Sequence, residues 1–127
     1  MNFEKVVFGF FIILALTLNF GFFLGEIDNP AHHNVYELFA AIVVNLLATV
    51  LKFGDRTQTG ALLLATSLVA VLQLFAAAAV WAYAVNISAT GLDAMMMASI
   101  VSLAGGAMLA NVISVILLIA DTVNLRR

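Results

Sequence analysis

Six polar side chains recur along residues 29–56 at spacings that place them on one face of a helix. At about 100° per residue, this polar face contains His33, Glu37, Asn45, Thr49, Lys52 and Arg56, with the small Ala41 and Ala48. The opposite face is apolar and contains Val35, Phe39, Ile42, Val43, Leu46, Leu47, Val50 and Phe53. A polar face is energetically unfavourable on a helix that contacts lipid on all sides. We therefore expect this face to contact protein, a water-filled path, or both.

The residue types along this face suggest ion chemistry. Glu37 and His33, with the nearby Glu26 and Asp28, would collect cations at an outer mouth, and Asn45 and Thr49 would line the middle of a path. An alternative for Glu26 and Asp28 is that they are solvated acids near a helix start, which the helix dipole favours. An alternative for Asn45 is a purely structural hydrogen bond between helices.

Lys52 and Arg56 form a basic end of the same face. Two positive charges at one end argue against simple cation flow. This end could instead hold an anion, a lipid headgroup or the acidic surface of a partner.

Several other classes of function lack the residues that they require. His33 and Glu37 are four residues apart, but a metal site needs at least one more ligand, so we predict no metal site. The chain has no cysteine, no Ser-His-Asp set and no glycine-rich phosphate loop. We therefore predict that it is not an enzyme, uses no cofactor and, without a basic groove, binds no nucleic acid.

The composition is that of a membrane protein. Of the 127 residues, 65% are hydrophobic and only 9% are charged. Apolar runs and capping residues predict an all-α, polytopic protein with a single domain over 1–127 and four membrane-spanning helices at about 6–25, 30–53, 61–85 and 94–120. Asn29 and Pro30 predict the start of the second helix, Gly54 its end, and Asp93 the cap of the fourth.

The basic residues predict the orientation of the chain. With four spans, one side of the membrane receives all of them, namely Lys5, Lys52, Arg56, Arg126 and Arg127. On the other side, every charged residue is an Asp or a Glu. The positive-inside rule then places both termini in the cytoplasm, whereas a model with three spans would divide the basic residues between the two sides.

Small residues and amides are spaced for contacts between helices. Gly21 and Gly25 in the first span, and Ser102, Gly106 and Ala110 in the fourth, recur every four residues. Each span also carries an amide within its apolar run, and Asn19, Gln73 and Asn111 are expected to form hydrogen bonds between helices. Together with the polar face of the second helix, these rows favour association of several copies into a homo-oligomer.

The run from Gly21 to Ala61, GFFLGEIDNPAHHNVYELFAAIVVNLLATVLKFGDRTQTGA, resembles a family of small uncharacterised bacterial inner-membrane proteins. The length and the layout of four spans fit the same family. The resemblance implies a multi-pass protein of the bacterial inner membrane, and the association of that family with potassium-uptake genes implies ion transport. It assigns no functional residues.

These observations lead to one main hypothesis and one alternative. The main hypothesis is a homo-oligomer that conducts or binds inorganic ions, most of all cations, along the polar face of the second helix. The alternative is a non-conducting accessory subunit whose polar face packs on a larger transporter, such as a potassium transport system. The lipid bilayer is a partner in both cases.

Overall fold

A computed structural model of the chain describes residues 3–125. These residues form four long helices and one short 3-10 turn, in the order α1 (Phe3–Phe23), the 3-10 turn Pro30–His32, α2 (Val35–Lys52), α3 (Gln58–Asn86) and α4 (Ala94–Leu125). The part described contains no strand, so the predicted all-α class is confirmed. All four helices are long and apolar enough to cross a membrane, as predicted for a multi-pass protein. Arg126 and Arg127, which contribute to the predicted orientation, lie outside the described residues.

The four helices form a closed ring in which each packs against its neighbours in the chain and α1 packs against α4. Two ends result from this up-and-down arrangement. We call the end at which α1 and α3 begin and α2 and α4 finish the inner end, and the opposite end the outer end. Helix α2 is about 27 Å long at 1.5 Å per residue, close to the hydrocarbon thickness of a bilayer of roughly 30 Å. Helices α3 and α4 are longer, with 29 and 32 residues, and exceed the length needed to cross the hydrocarbon core.

The second helix begins at Val35 and not at Pro30, which corrects the predicted boundary. Asn29 does cap a turn, since its side chain accepts a hydrogen bond from the Ala31 amide, but this turn is the 3-10 segment. The backbone is then extended at His33 and at Asn34, whose side chain caps α2. The chain leaves the helical conformation because the His33 ring contacts carbonyl oxygens near the end of α1.

Other helix ends lie close to their predicted positions. Gly54 adopts φ +89° after α2, the left-handed conformation expected there, and Asp93 caps α4 by accepting from the Met96 amide at 2.8 Å. Helix α1 ends at Phe23, so Gly25, predicted to be inside the first span, lies in the following turn with φ +98°.

Two apolar clusters fill the interior. The outer cluster includes Phe22, Leu38, Leu74, Met97 and Ile100, and the inner cluster consists of Phe8, Ile12, Ala48 and Leu63. The two clusters lie at different heights along the bundle. The zone between them differs in composition from both clusters.

Candidate functional site

A layer of polar side chains lies between the two apolar clusters. It is formed by residues that are at most 4% exposed and that come from three helices: Asn45, Thr49, Ser67, Asn111 and Ser114. In α2, Asn45 stands between Ile42 of the outer cluster and Ala48 of the inner cluster. In α3, Ser67 stands between Leu63 and Ala70 in the same way. We call these five residues the polar layer.

Hydrogen bonds satisfy part of the polar layer. Asn45 Nδ2 donates to the Ala41 carbonyl at 2.8 Å, and Thr49 Oγ1 donates to the Asn45 carbonyl at 2.8 Å. The Ser114 hydroxyl pairs with that of Thr66 at 2.5 Å, which joins α4 to α3. The α2 hydrogen bonds are directed at the backbone of their own helix, and they leave side-chain oxygens of the layer without a donor.

Four buried oxygen atoms have no hydrogen-bond partner among the described residues: Asn45 Oδ1, Ser67 Oγ, Gln73 Oε1 and Asn111 Oδ1. A buried polar atom left without a partner costs about 1–3 kcal/mol. The polar layer therefore presents lone pairs from α2, α3 and α4 that a cation or a hydrogen-bond donor would satisfy.

The amide of α1 joins the layer from its outer side. With its Nδ2 directed at the Ala104 carbonyl at 3.2 Å, Asn19 accepts from Asn111 Nδ2 at 3.3 Å. Asn19 is fully buried. Asn19 and Asn111 thus connect α1 to α4, and the donor group of Asn111 is engaged while its oxygen is not.

The predicted polar face of α2 faces the interior of its own chain. Asn45 and Thr49 are buried with Ala41 and Ala48, whereas the side chains expected on the apolar face are exposed at Phe39, Val43, Leu46, Leu47 and Val50. Ile42 is an exception, since it was placed on the apolar face but is 6% exposed and belongs to the outer cluster. Because one chain covers this face, the face itself gives no reason for copies to associate, and the homo-oligomer stays a prediction.

At the outer end, the predicted mouth residues separate into two groups. The carboxylates of Glu26 and Asp28 are exposed, and Glu37 is half-buried against α1, where Gly21 leaves room for its carboxylate. His33 is only 4% exposed, and its Nδ1 and Nε2 lie 2.5 Å from the Phe22 carbonyl and 2.7 Å from the Glu26 carbonyl. His33 therefore holds the backbone of the turn after α1 and does not line a path.

The inner end contains a cavity of about 800 Å³. Its charged lining consists of Glu4, Lys5, Lys52, Asp55 and Asp121, and its floor includes Phe8 and Leu63 of the inner cluster. Carboxylates outnumber ammonium groups in this lining by three to two. Arg56 is exposed and is not part of the lining, so the predicted basic end is divided and its cavity is not basic.

Two lysines in the cavity have different environments. Lys5 Nζ forms a hydrogen-bonded ion pair with Asp121 Oδ2 at 2.8 Å. Lys52 Nζ lies 3.6 Å from Asp55 Oδ2 and 4.3 Å from the centre of the Phe8 ring, with 12% of its side chain exposed. The contact with the ring is a cation–π interaction.

Hydrogen bonds within the loop stabilise the ionised form of Asp55. Its Oδ1 accepts from the Thr57 hydroxyl at 2.7 Å and from the Thr57 amide at 2.9 Å. These two bonds, with the charge of Lys52, hold the pKa of Asp55 below its ordinary value.

Small residues act at contacts within the chain. Gly106 leaves room for the Gln73 amide at the α3–α4 contact, and Ala110 is buried beside it. Ser102 is exposed, contrary to the predicted row. A row of residues four apart drifts around the helix because one turn takes about 3.6 residues, so this row passes from the surface into the interior along α4.

Sequence reasoning missed Ser67 in the polar layer and Glu4, Lys5, Asp55 and Asp121 in the cavity. Ser67 could have been found from the buried face of α3, where Gly60, Leu63, Ser67, Ala70 and Leu74 recur at alternating intervals of three and four. Lys5 and Asp121 could have been paired because the first span begins, and the fourth span ends, at the same side of the membrane.

A family model matches residues 32–122, which include α2, α3 and most of α4. The chain belongs to DUF6394, a family of unknown function. The predicted resemblance to an uncharacterised family is confirmed to this extent, while the bacterial origin and the link to potassium uptake stay predictions. The DUF6394 match contains Asn45, Ser67 and Asn111 of the polar layer, and Asn19 and Lys5 precede it. No curated protein and no solved structure matches the chain.

Proposed function

We propose that this DUF6394 protein is an integral membrane protein that binds a monovalent inorganic cation in the polar layer of its own helix bundle. The observation that carries the proposal is Asn45 Oδ1, an amide oxygen on a fully buried side chain that has no donor among the described residues. It lies on the helix face from which ion chemistry is predicted.

The chemistry of the layer favours a small hard cation with one charge. Amide and hydroxyl oxygens can replace the hydration shell of an alkali cation, as carbonyl oxygens do in potassium-selective filters. The five residues of the layer include no carboxylate, so the layer offers no charge to balance a divalent ion. Asn45 Oδ1, Asn111 Oδ1 and Ser67 Oγ, each without a donor, are the oxygens that a positive ion in the layer would approach.

The main hypothesis allowed either conduction or binding of ions, and binding is better supported than open conduction. The outer cluster closes the layer on one side with Phe22 and Leu38, and the inner cluster closes it on the other with Phe8 and Leu63. An ion can reach the layer only when one cluster loosens. Acidic groups at both ends, Glu37 outside and Asp55 inside, would raise the local concentration of cations.

Equilibrium binding of radioactive rubidium and sodium to the purified full-length protein tests this proposal. We expect saturable binding of one of the two ions, and loss of that binding in Asn45→Leu. Asn86→Leu is the matched control, because Asn86 is exposed at the outer end of α3. Absence of saturable binding by the folded protein, or equal binding by Asn45→Leu and the wild type, would contradict the proposal.

A second candidate function is the accessory subunit, and a groove on the outside of the bundle favours it. The groove lies between α1 and α4, has a volume of about 510 Å³, and is lined by Leu16, Thr17, Phe20, Met108 and Val112. Because the polar face of α2 is covered within the chain, a larger transporter would contact this groove instead.

Ion flux through liposomes separates the two functions. A transport protein should move potassium or sodium, and Glu37→Gln should slow that movement by removing an acid at the outer end. An accessory subunit should move no ion alone, and Phe20→Ala should weaken its association with a partner. Selective ion flux would support the first function. Absence of flux, in protein that also binds no cation, would support the second.

A further inference from the structure

With α2 across the hydrocarbon core, the cavity at the inner end would lie at the depth of lipid headgroups. Lys52 is the last residue of α2, whose length matches the hydrocarbon core, and Asp55 lies in the loop beyond it. Exposed apolar side chains border the cavity at Phe3, Leu51 and Phe53, which are 75%, 45% and 62% exposed. A molecule in the cavity can therefore meet charges with one part and the acyl region with another.

The Lys52–Asp55 pair is open to a ligand, in contrast to the closed Lys5–Asp121 pair. Lys52 Nζ and Asp55 Oδ2 are 3.6 Å apart, which is beyond hydrogen-bond distance, whereas the Lys5 pair is hydrogen-bonded at 2.8 Å. An ammonium group has three donors. Lys52 lies over the Phe8 ring and 3.6 Å from Asp55 Oδ2, and its charge also acts on Asp121.

The two oxygens of the Asp55 carboxylate are engaged to different degrees. Both Thr57 hydrogen bonds reach Asp55 Oδ1, whereas Oδ2 lies 3.6 Å from Lys52 Nζ and packs against Gly60. The pair thus presents a weakly engaged ammonium group beside a weakly engaged carboxylate oxygen. A ligand that carries a negative and a positive group a few bonds apart would satisfy both.

We propose that this cavity binds the phosphoethanolamine headgroup of a membrane lipid, with the phosphate accepting from Lys52 and the ammonium donating to Asp55 Oδ2. The excess of carboxylates in the lining disfavours a purely anionic headgroup, because Asp55 and Asp121 would repel it. A choline headgroup carries the same charges but has no N–H to donate to Asp55. This inference does not depend on the cation site.

Native mass spectrometry of the delipidated full-length protein tests the proposal. Phosphatidylethanolamine, phosphatidylcholine and phosphatidylglycerol with identical acyl chains would be added at equal concentrations. We expect phosphatidylethanolamine to bind preferentially. Lys52→Gln and Asp55→Asn should each weaken that binding about tenfold or more, the effect of losing one charge-assisted hydrogen bond.

Matched controls keep the test specific. Arg56→Gln removes the same charge as Lys52→Gln, but Arg56 is exposed outside the cavity and its loss should leave binding unchanged. Asp55→Asn retains an oxygen that can accept from Thr57, so the loop keeps its hydrogen bonds, and circular dichroism would verify the fold of each variant.

Two results would overturn the proposal. One is equal binding of the three lipids, or a preference for phosphatidylglycerol. The other is undiminished phosphatidylethanolamine binding in folded Lys52→Gln. Free phosphoethanolamine at equal concentration would be added as a competitor. If it displaces the lipid, the cavity binds the free headgroup and the proposal of a lipid ligand is overturned; retention of the lipid would support the proposal.

Discussion

His32 and His33 hold the same residue by its two backbone groups: the Glu26 amide donates to His32 Nδ1 at 2.9 Å, and the Glu26 carbonyl lies 2.7 Å from His33 Nε2. The second nitrogen of His33 contacts the Phe22 carbonyl, one of the carbonyls that α1 leaves free at its end. The pair therefore fixes the turn from α1 to α2, and His33 is the buried member.

Replacement of His33 should destabilise the fold more than replacement of His32. His33→Phe keeps a ring of similar shape but removes the ring N–H that lies among the Phe22 and Glu26 carbonyls, so we expect a loss of about 1–3 kcal/mol in the free energy of unfolding. His32→Phe, at an exposed position, should cost less. Denaturant unfolding in detergent micelles measures both, and an equal cost would contradict the structural role of His33.

The hydrogen bond between Asn19 and Asn111 should appear as an energetic coupling. A double-mutant cycle with Asn19→Ala and Asn111→Ala is expected to give about 0.6 kcal/mol, the average for polar contacts inside membrane proteins. Unfolding of the two single variants and the double variant measures this coupling. Strict additivity of the single effects would mean that the two amides do not interact.

Gly106 should tolerate alanine poorly, because a Cβ there would overlap Gln73 Oε1. We expect Gly106→Ala to lower the free energy of unfolding by about 1 kcal/mol, the low end of the cost of overpacking, since a flexible side chain can shift. Adding Gln73→Ala should recover part of this loss.

Gly9→Ala is the control for the same chemical change in α1. A Cβ at Gly9 would make an ordinary contact of 3.4 Å with Leu118, so this variant should be neutral or more stable. A loss at Gly9 as large as the loss at Gly106 would contradict the proposed role of Gly106.

Two acids outside the spans should make the fold sensitive to low pH. Hydrogen bonds from the Met96 amide and Thr90 lower the pKa of Asp93, and those from Thr57 lower the pKa of Asp55. Since the folded pKa values are lowered, both groups stabilise the fold fully above the unfolded pKa of roughly 3.9. That contribution is lost as the pH falls through the folded pKa values.

Thermal unfolding as a function of pH measures this loss. Asp93→Asn keeps a capping oxygen but cannot titrate, so its stability should fall less steeply in acid than that of the wild type. An acid limb as steep in Asp93→Asn as in the wild type would contradict the assignment.

Much of the architecture follows from the sequence because lipid imposes strong rules. The four spans, the caps at Gly54 and Asp93, and the inward polar face of α2 depend on local spacing and on hydropathy, which are visible in one chain. The start of α2 was wrong because His33 makes a tertiary contact with the end of α1. Whether the polar face of α2 is covered by its own chain also depends on packing, which the spacing does not specify.

The candidate site was predicted only in part for the same reason. Asn45 and Thr49 follow from the polar face and Asn111 from the row of amides, whereas Ser67 was missed because it lies on a face of α3 made mostly of small residues. The cavity was missed because its charges come from three separated segments, near Lys5, Lys52 and Asp121, which meet only when the bundle closes.

The most direct test of the central claim is the position of a bound cation. Crystals of the full-length protein grown with rubidium would locate the ion by its anomalous scattering. The proposal predicts a peak within coordination distance of Asn45 Oδ1, between the outer and inner clusters, that disappears in Asn45→Leu. The contradicting result would be obtained at saturating rubidium without sodium. It is the absence of an anomalous peak in the polar layer, with rubidium bound only elsewhere.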